Sequence, residues 1–252
     1  MGRLFDRPLT RQLLGLAVFL AIWQGAAWQG WLNPLYVPAP IKIGAALITL
    51  FGSGSIWPHL AATFSAALGG LALGIIVGTI LGAAAAMLPL IAELLEPVMI
   101  LLNAVPRVVL APLFVIWLGI GLASKVALAF MLVAVLVFFT VFTGIKQVDR
   151  KLVERVITLG GGRGTLLREV YMPSVTAWVL GNLKVAVGFA FTGAVVGEFV
   201  AATKGLGYLL SFAQSTYNSA LMLALVLLIM AFVLLIFALS ERLEKRLLRW
   251  RG

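Results

Sequence analysis

Two sets of residues in this 252-residue sequence have types and spacing suited to chemistry. The first is a trio of ionisable side chains inside long apolar runs: Arg107, Lys184 and Glu198. A charge at bilayer depth costs roughly 2.5–3.5 kcal/mol on insertion scales, so such residues face protein or water. Two cations and one carboxylate suit an electropositive lining for an anionic solute, with Glu198 shaping an outer gate. The structural alternative is that Arg107 or Lys184 pairs with Glu198, or snorkels to the interface. The second set lies in the polar segment 151–173, which holds Glu154, Arg155, Leu159, Gly160, Gly161 and Pro173. Its glycine run is not a phosphate cradle. That motif needs Lys and then Ser or Thr after the closing Gly, and here Gly164 is followed by Thr165 and Leu166. With no cysteine and a single histidine, His59, one chain can build neither a thiolate site nor a histidine metal cage. A lone intramembrane carboxylate does not make the convergent acid–base set of an enzyme.

The elements that position these residues are set by composition. Hydrophobic residues make up 62% of the chain and charged residues 11%, against about 25% charged in soluble domains. The apolar residues fall in blocks that reach the ~18-residue length of a membrane span. They predict an all-α polytopic membrane protein of about six spans, near 12–31, 60–88, 94–118, 124–145, 174–200 and 219–240. The third span is expected to be kinked by Pro97, Pro106 and Pro112. The first is expected to be a retained helix, not a cleaved leader, with Trp28 and Trp31 at the far interface. The segment 32–58 is external, with an interfacial helix over 41–51. A ridge of small residues four apart runs along the second span: Ala62, Ala66, Gly70, Gly74, Gly78, Gly82 and Ala86. In lipid such a ridge allows close helix approach, within one subunit or between two.

The net charge of +10 does not indicate nucleic acid, because of where it sits. Fourteen of the 19 Lys and Arg residues lie at the N-terminus (Arg3, Arg7, Arg11), in the loop 146–168 and at the C-terminus (Arg242 to Arg251). Under the positive-inside rule these segments, including both termini, are cytoplasmic. The whole chain, 1–252, reads as one transmembrane domain, with 147–173 as a cytoplasmic loop within it. In that loop Leu152, Val153, Val156, Ile157 and Leu159 have helical spacing. Gly160 to Gly164 break the helix, and Thr165 is placed to cap a second one. The apolar face is too short to be a core and needs a partner.

This loop resembles that of permeases of ATP-binding cassette importers. Their pattern is Glu-Ala-Ala, three residues, Gly, nine residues, Ile-x-Leu-Pro. Here it reads Glu154-Arg155-Val156, three residues, Gly160, nine residues, Val170-Tyr171-Met172-Pro173. Arg155 and Val156 depart from the alanines. Pro38-Ala39-Pro40, Ala104-Val105-Pro106, Leu110-Ala111-Pro112, Trp117 to Gly121, Val196 to Phe199 and Gly205 to Tyr208 look like the subfamily importing nitrate, sulfonates, taurine or bicarbonate, to which thiamine-precursor importers are similar. The resemblance implies a non-catalytic permease of a bacterial inner membrane, working as a homodimer. Two cytoplasmic ATP-binding subunits would grip the loop as a coupling helix, and an extracytoplasmic solute-binding protein would deliver a small solute. ATP and Mg would sit on the partner ATPase, with no cofactor on this chain. An ion-coupled secondary transporter is the alternative, but it would need paired intramembrane acids, and only Glu198 is available.

Overall fold

The computed structural model describes residues 8–247, apart from the side chains at 8, 9, 13, 107, 243 and 247. In chain order the helices are α1 (Pro8–Trp28), α2 (Pro40–Gly52), α3 (Ile56–Met87), α4 (Pro89–Ala104), α5 (Arg107–Leu118), α6 (Leu122–Lys146), α7 (Arg150–Thr158), α8 (Arg163–Leu166), a π-turn (Leu167–Tyr171), α9 (Met172–Gly181), α10 (Leu183–Val200), α11 (Leu206–Ser215) and α12 (Ser219–Leu247). Among the described residues there is no strand. Four helices, α3, α6, α10 and α12, are long and apolar enough to cross a membrane. The 21-residue α1 carries Arg11, Gln12 and Gln24 and is not among them.

The expected third span is not one kinked helix. α4 and α5 meet at 108°, which makes a broken span or a re-entrant pair. Pro106 is the cause. It offers no N–H to continue α4 and forces its predecessor into extended geometry; Val105 sits at φ −69°, ψ 129°. Pro97 and Pro112 remain inside their helices. The expected fifth span is also interrupted. Asn182 (φ −99°, ψ 4°) separates α9 from α10.

The small-residue ridge of α3 packs on α6 of the same chain, in the most extensive helix contact of the fold. A Cβ added at Gly78 would stand 2.7 Å from the Ala134 carbonyl oxygen, and one at Gly82 2.7 Å from that of Phe138. The backbones therefore touch, and no larger residue fits. Val133, Val137 and Val141 of α6 fill the seam together with Ala186, Ala190 and Ala194 of α10. Dispersion across close-packed backbones replaces the hydrophobic gain that lipid withholds. Gly78→Leu should therefore cost at least the ~1–3 kcal/mol typical of overpacking. Thermal unfolding in detergent would show it as a lowered Tm, whereas Gly44→Ala, which meets open space, should change little.

Candidate functional site

The elbow between α6 and α9 lies outside the long apolar helices. Asp149 caps α7, its Oδ1 accepting the Lys151 N–H at 2.9 Å. The helix stops because Gly160 adopts φ +80°. Its N–H donates to the Ile157 carbonyl and that of Gly161 to Val156, both at 2.9 Å. These two bonds form a Schellman cap, which needs a left-handed residue at Gly160. Gly161 is tight for a different reason: a Cβ there would stand 2.5 Å from Val156 Cγ1. So Gly160 sets the turn and Gly161 lets it close. The second helix begins at Arg163, capped by Gly162 with no side-chain bond, not at Thr165 as the capping pattern predicts. It runs through a π-turn into α9. Pro173 explains that turn, since it has no N–H for the carbonyl four residues back.

No residue of α7 is buried. Leu152, Ile157 and Leu159 are exposed, Leu159 at 80%. Glu154 and Arg155 are exposed beside them. A groove of about 420 Å³ separates α7 from α9, lined by Arg155, Val156, Leu159, Val170, Pro173 and Trp178 among others. The elbow thus presents apolar and charged groups together on a rigidly capped helix, the surface expected of a docking element.

Of the three ionisable residues within the expected spans, Lys184 and Glu198 are not paired with each other. Lys184 pairs with Glu241 of α12 at 3.0 Å, not with Glu198, and Glu241 also takes Lys245 at 2.8 Å. Arg107 begins α5 at the break, and its side chain lies outside the described residues, as do Arg3, Arg7, Arg249 and Arg251. Glu198 is 2% exposed at the end of α10. Its Oε2 accepts from the Thr63 hydroxyl at 2.8 Å and from the Gly207 N–H at 3.0 Å. Thr63 in turn accepts the Leu206 N–H at 2.8 Å. His59 Nδ1 accepts the Gly205 N–H at 3.1 Å, and its ring stacks on Tyr208. A Cβ at Gly205 or Gly207 would collide with the Glu198 side chain. The carboxylate therefore fastens the 201–206 turn beneath α11.

Lys125 completes this polar cluster at 3% exposure, donating to the Ile120 carbonyl and to Ser124 Oγ. Lys125, Thr63 and the pairing role of Glu241 escape sequence reasoning. Lys125 falls at the outer border of its span, where a lysine reads as solvated. His59, which reads from sequence as an interfacial surface residue, is part of the fastening. The recurrence of Gly205 and Gly207 soon after Glu198 is the available signal. Glu198→Ala would leave the buried Gly207 N–H without its acceptor, at about 1–3 kcal/mol, while the Thr63 hydroxyl keeps the His59 carbonyl at 3.2 Å. Hydrogen exchange over 201–208 should rise sharply in Glu198→Ala and much less in Glu198→Gln, which keeps an acceptor.

Comparison with known proteins bears on both regions. Residues 70–249 match the family described as binding-protein-dependent transport system inner membrane component. The riboflavin transport system permease RibX of Chloroflexus aurantiacus is 32% identical over 98% of this chain and 92% of its own. The taurine transport system permease TauC of Escherichia coli is 30% identical over 97% and 92%. The formylaminopyrimidine transport permease ThiX of Halalkalibacterium halodurans is 31% identical over 93% of each. The fold is similar to that of a chain in the inward-facing MetNI methionine ABC transporter, with TM-score 0.60 and 20% identity over 76% of this chain and 93% of that one. With the family model covering most of its length, the chain belongs to the binding-protein-dependent transport inner membrane components, the non-catalytic permease subunits of ABC importers.

Proposed function

We propose that this permease works as a pair of identical copies, with both termini in the cytoplasm, and that α7 is the coupling helix through which a separate ATPase drives it. ATP and Mg bind that partner. An external solute-binding protein delivers a small solute, of which riboflavin, taurine and formylaminopyrimidine are the kinds named for its relatives. One observation carries the reading. The Glu154–Gly160–Pro173 spacing coincides with a capped, amphipathic helix that has no buried residue and stands clear of the spans.

The mechanics follow from stiffness. The Asp149 cap and the Schellman cap at Gly160 leave α7 little freedom to fray. Its far side meets α9 across the groove. Displacement of α7 by a closing ATPase is then passed to α9 and, through α9, to α6, moving packed helices as a rigid body between inward-open and outward-open forms. Glu154 supplies the anionic contact, and Leu152, Ile157 and Leu159 the apolar one.

In proteoliposomes holding the permease, its co-purified ATPase and its binding protein, uptake should require ATP and persist when ion gradients are collapsed. Glu154→Lys should lower ATP-driven uptake by about tenfold or more, the effect of losing roughly 1.4 kcal/mol of contact, while leaving the permease Tm unchanged. Uptake that follows an ion gradient without ATP would replace this reading with a secondary transporter.

A further inference from the structure

A second cavity, of about 420 Å³, opens between α4, α6 and the junction of α9 and α10. Its volume lies in the roughly 300–1,000 Å³ range of small-molecule sites. Its polar wall is Asn103, Thr140, Thr143 and Asn182; its rings include Phe139 and Trp178. No Lys, Arg, Asp or Glu lines it among the described residues.

Three features mark it as a built site. The first is placement. Asn103 lies beside the α4–α5 break and Asn182 is itself the α9–α10 break. Irregular backbone at membrane depth is tolerated only where it is buried in protein or lines a cavity, so two helix breaks beside one cavity mark its wall as interior to the bundle.

The second is unspent hydrogen-bonding capacity. Asn182 Nδ2 donates to the Trp178 carbonyl at 3.0 Å, which leaves its oxygen facing other partners. The Asn103 amide, the Thr143 hydroxyl and the Trp178 indole N–H have no partner among the described residues. Carboxamides at this depth do not face lipid without cost.

The third is preorganisation. The Trp178 indole lies against Gly144, where a Cβ would stand 2.7 Å from the ring. Only glycine at 144 lets the indole take that place beside the cavity. Among the described side chains, two cations that would suit an anion are engaged elsewhere. Lys184 is held by Glu241, and Lys125 is buried at the outer end.

We infer that this cavity is the solute's resting place within the membrane, and that it takes an uncharged, flat, hydrogen-bonding ring compound, not a free sulfonate or other anion. The assignment rests on the importer reading. Aromatic faces stack on a planar ring, and the neutral amides and indole N–H match ring nitrogens and carbonyls. Among the described residues a sulfonate would find no counter-charge there.

The test is equilibrium binding to the full-length permease in lipid nanodiscs, with riboflavin, 4-amino-2-methylpyrimidine and taurine as separate probes. At least one ring probe should bind saturably and taurine should not. Trp178→Leu and Asn182→Ala should each weaken ring binding about tenfold or more, while Trp178→Phe keeps most of it. If either of the first two variants misfolds, Asn103→Ala, at an exposed position, supplies the same reading. The inference is overturned if neither ring probe binds saturably, if taurine binds and is lost in Arg107→Gln, or if the cavity variants bind as the parent does. This binding needs no ATPase. Its failure is therefore separable from a failure of ATP-driven uptake, which would sink the importer reading instead.

Discussion

Everything in this fold hangs on the backbone-to-backbone contact of α3 with α6. In lipid, apolar side chains gain nothing by leaving one apolar environment for another, so helices associate only where they can come very close. Gly70, Gly74, Gly78 and Gly82 provide that closeness along one side of α6. The same device recurs on its other sides. Gly193 of α10 lies against the backbone of Ala129, and Gly144 of α6 itself receives Trp178 of α9. α6 is thus a central post to which α3, α9 and α10 are fastened without side-chain slack.

Around that post the two ends of the bundle are finished in opposite ways. At the α11 end Glu198, Thr63 and His59 are spent on internal hydrogen bonds that hold the turn before α11, and Lys125 is spent on the turn before α6. Satisfied buried polar groups of this kind specify one arrangement strongly, because any alternative strands them. At the opposite end the elbow keeps its apolar and charged groups exposed. Trp178 connects this end with the interior, since it lines both the groove under α7 and the cavity at the helix break. The groove at the elbow and the proposed solute cavity therefore share one rigid side chain.

Much of this was legible in the sequence. The apolar blocks located α3, α6, α10 and α12, and the Glu154–Gly160–Pro173 spacing located the elbow. The helix expected over 41–51 also appears, as α2. What the sequence left open has physical reasons. Three prolines marked the third span, but only Pro106 breaks it. Which proline breaks a helix depends on whether neighbours accept the freed carbonyl, a tertiary matter. Asn182 carries no breaking signal of its own. Lys184 found Glu241 on another helix instead of Glu198. No spacing rule reaches across 57 residues to predict that pair. The proposed solute cavity was missed because its described residues are neutral, and attention to charge passes over amides and indoles.

The central claim is that α7 is held by an ATP-hydrolysing partner. Because the chain contains no cysteine, Leu159→Cys gives a single attachment point for a thiol-linked photo-crosslinker on the intact complex. The account predicts that the crosslinked product is the ATPase subunit and that its yield changes when ATP is added. Capture of no ATPase, or labelling of the introduced thiol only by reagents confined to the outside of the membrane, would contradict it.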